Sequence, residues 1–370
     1  MKVPLSAPDI NQDDISAVLS VLQTNQLSLG PRLSEFEKVM TDWAGQKHGI
    51  AVNSGTSGLH LIVRAMDLKD GDEVITTPFS FIASSNCLLF ERAVPVFADI
   101  EPETLNIDPS AIERAITPKT KAILAVHAFG HPADMDPIRE IAQRHSLRVI
   151  EDSCEAIGAQ YKGRPAGSLG DAGVFAFYPN KQMTTGEGGV IVTDDDEIAA
   201  LCRSMRNQGR GEGDRWLFHE RLGYNYRLDE LSCALGVSQA ARLEEILAMR
   251  TDVAQRYHQR LAGIDGVSLP FTADYAKISW FIYVIRLAAG IDRDKVMQAL
   301  TDNDIGCRPY FTPIHLQPFF REMFGYKEGD FPITEQVARS TVALPFFNRI
   351  ADEQIDYVAD MLEKAIRQQR

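Results

Sequence analysis

The chain has 370 residues, with 38 Lys+Arg against 51 Asp+Glu and a formal net charge of −13. Its 45% hydrophobic and 24% charged content is that of a globular protein. At ~150 residues per domain, the length predicts two or three domains with a core that needs no disulfide or metal staple. The negative field argues against a nucleic-acid binder. No apolar run nears the ~18 residues of a membrane span, and the opening Met1–Pro8 stretch lacks an apolar signal core. Five cysteines (Cys87, Cys154, Cys202, Cys233 and Cys307) are odd in number and never spaced C-x-x-C. That usage predicts free thiols in the cytoplasm.

The segment up to Gly30 reads as an arm or helix laid on the body of the protein. Between residues 48 and 206, short apolar runs alternate with amphipathic stretches, the pattern of a mostly parallel sheet flanked by helices. Strands are expected at 49–53, 73–77, 94–98, 122–127, 147–151, 173–178 and 189–193, with helices such as 59–66 and 137–145 between them. After residue 228 the character changes. One or two long helices cover 228–259, followed by an isolated strand at 279–287 and helices at 292–304 and 352–367. These place a boundary near residue 245. Residues 1–245 form a large α/β domain with its N-terminal arm, and residues 246–370 a smaller α+β domain.

Several nucleotide and metal motifs are absent. No G-x-G-x-x-G follows a strand, and Gly158–Gly163 has P-loop glycine spacing but Arg164 and Pro165 where Lys and Ser/Thr belong. His127 and His131 are four apart, but Gly130 and Pro132 break the helix a metal pair requires, so no metal site is expected.

Three features carry chemistry, and each has an ordinary alternative. Asn53-Ser54-Gly55-Thr56-Ser57-Gly58 lies between a strand and a helix, where free N–H groups and hydroxyls hold a phosphate or simply cap the helix. Glu151-Asp152 ends an apolar strand, where a carboxylate can face a cationic ring nitrogen or serve a turn. Lys181 precedes Gly186-Glu187-Gly188-Gly189 between two strands, as a Schiff-base amine or a surface lysine. Together they supply the phosphate anchor, ring partner and amine that pyridoxal phosphate needs. His60 reads as a packed histidine. The basic stretch from Arg203 to Gly213, with Arg206, Arg210 and nearby Arg215, reads as a solvated run or a loop near an anionic substrate.

The sequence resembles the DegT/DnrJ/EryC1/StrS family of sugar aminotransferases along nearly its whole length. The carrying residues are Leu29-Gly30-Pro31, Asn53–Ser57, Pro78-Phe79-Ser80-Phe81, Glu151-Asp152, Lys181 with its glycines, Gly223–Leu228 and Arg308-Pro309-Tyr310. The resemblance implies fold type I of the pyridoxal-phosphate enzymes, as a homodimer with shared active sites. It implies that Lys181 is catalytic, with Asp152 on the ring nitrogen, Phe81 on the ring face and Glu155 near the ring hydroxyl. Gly55, Thr56 and Ser57 would hold the phosphate, joined by Asn225 from the neighbouring subunit. Gly30, Arg227, Tyr310 and His315 are the substrate-binding candidates. The implied reaction moves an amino group from L-glutamate to a nucleotide-linked keto-sugar. Glu155, where many relatives carry Gln or His, leans toward a 4-keto-hexose. Ala176 stands where many relatives have a phosphate-binding Ser. Sugar dehydratases of the same family carry His in place of the lysine, so Lys181 argues against that alternative. A non-catalytic regulator is the other.

Overall fold

The computed structural model describes residues 1–211 and 217–369. Gly213 and Arg215 of the basic stretch therefore lie outside the described residues. A central sheet contains β1 (His48–Val52), β2 (Glu73–Thr76), β3 (Val94–Phe97), β4 (Thr120–Val126), β5 (Arg148–Asp152), β6 (Ala172–Ala176) and β7 (Gly189–Thr193). Their spatial order is β1-β7-β6-β5-β4-β2-β3. β7 runs antiparallel to both neighbours, and the other pairings are parallel. No helix intervenes between β6 and β7, so the chain doubles back there instead of crossing over.

Strand β4 shows why these strands read as continuous apolar runs. Its Ala122, Leu124 and Val126 pack with Leu59, Ile62 and Val63 of helix Gly55–Ala65 on one face. Ile123 and Ala125 pack with Ile138 and Ile141 of helix Met135–His145 on the other. Alternate side chains thus enter two cores, as a parallel sheet covered on both faces requires.

The arm is helix Gln12–Leu22, opened by a reciprocal cap between Asn11 and Asp14. Asp14 is buried and also accepts hydrogen bonds from Ser238 Oγ and Gln239 Nε2, both at 2.6 Å. It thereby docks the arm on helix Glu230–Ala241. The long helical stretch expected after Leu228 is two helices, broken at Arg242, whose guanidinium pairs with Asp9 and Asp14. Residue 245 falls in the first turn of the second, Leu243–Leu261.

A second, antiparallel sheet has the order β8 (Val267–Ser268), β9 (Tyr283–Leu287), β10 (Thr341–Leu344). It packs with helices Leu243–Leu261, Arg293–Asp302 and Asp352–Arg367 around Tyr257, Tyr283, Val342 and Leu362. The strand expected from residue 279 starts at Tyr283 because Ser279 is tied elsewhere, its hydroxyl donating to the Ile157 carbonyl and its N–H to that of Gly130. Among the described residues, no helix is long and apolar enough to cross a membrane.

Candidate active site

In open α/β sheets, ligands sit beyond the carboxyl ends of the parallel strands. A cavity of about 520 Å³ opens there, lined from β1, β2, β4, β5, β6 and the loop into β7, with Phe281, Tyr310 and Phe311 closing it from beyond residue 245.

At one end, the chain leaves β1 and enters helix Gly55–Ala65. Ser54 caps it, its Oγ accepting from Ser57 N at 3.1 Å. The N–H groups of Gly55 and Thr56 have no carbonyl one turn back, so this end attracts an anion. Gly55 has to be glycine. A Cβ there would lie 2.8 Å from both Ala176 Cβ and Cys154 Sγ. Likewise, a Cβ on Gly189 would lie 2.8 Å from the Ser54 carbonyl, so β7 presses directly on this loop.

β5 delivers the adjacent carboxylates to opposite faces. Asp152 turns to the cavity, where its Oδ2 accepts from Ser84 Oγ at 2.6 Å and its Oδ1 from Cys154 N at 3.2 Å. Glu151 turns away, fully buried, and accepts from the backbone of Gly167, Leu169 and Gly170. His127 Nδ1 accepts from Ala133 N, so its Nε2 carries the proton given to Glu151 at 2.8 Å.

Lys181 sits on a turn pinned by its own N–H to the Tyr178 carbonyl and by Gln182, which bonds Glu155 O and Ser279 Oγ. Its Nζ lies 3.4 Å from Glu155 Oε1 and 4.1 Å from the centre of the Phe281 ring. Burial pushes the Glu155 carboxyl above the usual range, against the pull of Lys181 and of the Phe129 N–H that it accepts at 2.9 Å. Phe81 projects at the cavity, 63% exposed.

Seven of the expected residues thus meet at one cavity: Gly55, Thr56, Phe81, Asp152, Glu155, Lys181 and Tyr310. The others are placed differently. Ser57 is buried and its hydroxyl donates to Asn53 Oδ1 at 2.6 Å, so it does not face the cavity. Gly30 opens helix Pro31–Ala44, giving its N–H to Glu230, which also caps Arg32 N and Leu33 N. Arg227 bonds Asn207 Oδ1 at 3.0 Å. His315 is fully buried, 3.1 Å from Glu335 and edge-on to Phe331, because its short helical turn faces inward. Asn225 bridges to Asn207 and lies outside the cavity of its own chain. His60 is packed among Phe90, Tyr224 and Tyr226, as expected. Arg206 is buried against Glu37 and the Ala51 carbonyl. The reading of the sequence missed Ser84, Tyr178, Asn180, Glu187, Phe281 and Phe311. The four-residue spacing of Ser80 and Ser84 beside Phe81 is that of one helix face, but nothing in the sequence says that this face meets Asp152.

Pyridoxal phosphate asks three things of a protein: an anion site, a carboxylate for its cationic ring nitrogen and an amine for its aldehyde. One cavity on a mostly parallel sheet offers all three, which defines the class as pyridoxal-phosphate-dependent transferases. The model of the DegT/DnrJ/EryC1/StrS aminotransferase family matches residues 8–363. The chain is 39% identical over 369 residues to the GDP-perosamine synthase of Caulobacter vibrioides, covering 99% of this chain and 98% of that protein. DesV of S. venezuelae, solved with a ketimine intermediate, superposes with a TM-score of 0.92 at 34% identity, covering 98% of each chain. Helicobacter pylori PseC, an aminotransferase of pseudoaminic acid biosynthesis, gives 0.95 at 28% over 100% of each. The chain belongs to the DegT/DnrJ/EryC1/StrS aminotransferase family and is a pyridoxal-phosphate-dependent aminotransferase.

Proposed function

We propose that this enzyme transfers the amino group of L-glutamate to a nucleotide-linked keto-sugar, with a 4-keto-hexose as the preferred acceptor. The carrying observation is the placement of Lys181 Nζ beside Glu155 in the cavity that also holds Asp152. Its relatives GDP-perosamine synthase and PseC, an aminotransferase of pseudoaminic acid biosynthesis, support a sugar acceptor.

Gly55 and Thr56 would hold the cofactor phosphate, with Asp152 available to the ring nitrogen, Phe81 to a ring face and Glu155 to the ring hydroxyl. The bound cofactor supplies an electron sink for charge developing at the substrate carbon. Lys181 Nζ would take the α-proton of the donor and later return a proton to the sugar carbon. Glu155, within 3.4 Å, steadies that amine between the two transfers. Tyr310 borders the space left for the sugar. Residues 1–245 act as the cofactor platform and 246–370 as the smaller unit that closes over it.

A homodimer completes the site, with Asn225 reaching the phosphate of the neighbouring copy. The exposure of Phe81, Tyr178, Leu217 and Leu222 on the single chain supports a covering partner. Five free cysteines, four of them buried, support a cytoplasmic setting.

The test is mass spectrometry of products from UDP-, GDP- and dTDP-linked keto-sugars incubated with glutamate and enzyme. An amino-sugar nucleotide from at least one 4-keto substrate is expected. No aminated product from any of them would contradict the acceptor assignment.

A further inference from the structure

Asp152 is not held by its own strand alone. Ser84, fully buried in helix Ala83–Leu89, gives its single hydroxyl proton to Asp152 Oδ2 at 2.6 Å, in the range of charge-assisted bonds. The other acceptors in reach are the Phe81 carbonyl at 3.2 Å and Ser80 Oγ at 2.7 Å, both neutral and so weaker acceptors than a carboxylate. Ser80 Oγ lies 2.7 Å from Ser84 Oγ and borders the cavity. With the Ser84 proton committed to Asp152, Ser80 must be the donor to Ser84. The result is a directed chain from Ser80 through Ser84 to Asp152. The turn that opens this helix also projects Phe81 into the cavity, so one element serves both a face and an edge of the same ligand.

We infer that Ser84, supported by Ser80, is a positioning residue that keeps Asp152 a carboxylate aimed at the cofactor's ring nitrogen and so keeps the shared proton on that nitrogen. The inference rests on the assignment of Asp152 to the ring nitrogen. A hydrogen bond donated to a carboxylate favours its charged form, and a polarised chain strengthens the last bond. Removing the Ser84 hydroxyl weakens that preference, and the proton moves toward the carboxylate.

The test uses the full-length protein loaded with pyridoxal phosphate carrying 15N in the ring, at one fixed pH. Ser84→Ala is expected to move the ring 15N resonance toward the unprotonated position. It should also raise the cofactor dissociation constant by roughly three- to tenfold, one hydrogen bond's net worth. Ser80→Ala should shift the resonance in the same direction by less, and it serves as the reading if Ser84→Ala does not fold. Asp152→Asn is the control. A resonance that moves in Asp152→Asn but in neither serine variant would overturn the inference alone. One that stays put in Asp152→Asn as well would overturn the assignment of Asp152 with it.

Discussion

At the scale of single residues, Glu151 and Asp152 illustrate how neighbours in sequence acquire unrelated work. Glu151 accepts three backbone N–H bonds and one from His127 in a fully buried setting. Glu151→Ala leaves those donors unpaired and should cost ~3 kcal/mol or more in urea denaturation. Asp152→Asn should instead fold normally and lose cofactor affinity, seen by equilibrium dialysis. Ala176 invites the opposite change. It borders the cavity beside Gly55, so Ala176→Ser is expected to tighten pyridoxal phosphate by roughly three- to tenfold through one added hydroxyl donor. A strand end exposed Asp152 in the sequence and a glycine-rich turn exposed Lys181, while Glu155 came from the family resemblance. Which hydroxyls face the ligand was not legible. Ser57 and Ser84 differ only in what their side chains meet after folding, and His315 is turned inward by its packing on Phe331.

At the scale of elements, the strands and helices before residue 206 follow the expected order, and β7 matches its expected span, Gly189–Thr193. These segments were legible because two-sided burial makes each strand a short apolar run. Strand β10 (Thr341–Leu344) was not foreseen, since four residues joined directly to a helix carry little periodic signal. At the break, Arg242 pairs with Asp9 and Asp14 of a distant arm, a contact that no local pattern announces. A close approach between elements at the cavity lies where β7 abuts the loop before helix Gly55–Ala65. Gly189→Ala places a methyl against the Ser54 backbone, so that loop must shift. Cofactor retention should fall in Gly189→Ala while the circular dichroism spectrum stays near wild type. Unchanged retention would show that the loop yields without disturbing its anion site.

At the scale of the whole molecule, a chain of net charge −13 has to hold an anionic cofactor. In the proposed site, backbone N–H groups at a helix end would provide the attraction locally, so the global sign argues against polyanions without excluding one phosphate. Acid should weaken the fold through its histidines. Burial lowers the pKa of His60 and His315, and that of His131 to about 4. Between the ordinary histidine range and pH 4, the unfolded chain binds protons that the folded chain refuses, so stability is lost as pH falls through that window. His131 alone contributes ~3 kcal/mol of that loss. Chemical denaturation at pH 7 and pH 4.5 should show it, with a smaller difference in His131→Gln. If the site is completed by a second copy, dilution should release cofactor and activity together, and light scattering should report the dimer dissociating over the same concentrations.

One measurement tests directly whether Lys181 drives amino transfer from glutamate in this cavity. The yellow holoenzyme is mixed with L-glutamate in the absence of sugar, and its absorbance and the released 2-oxoglutarate are followed together. Loss of the yellow band with about one 2-oxoglutarate per bound cofactor, and neither change in a cofactor-loaded Lys181→Ala protein, is the predicted result. An unchanged spectrum in the wild type, or equal 2-oxoglutarate release by Lys181→Ala, would contradict it.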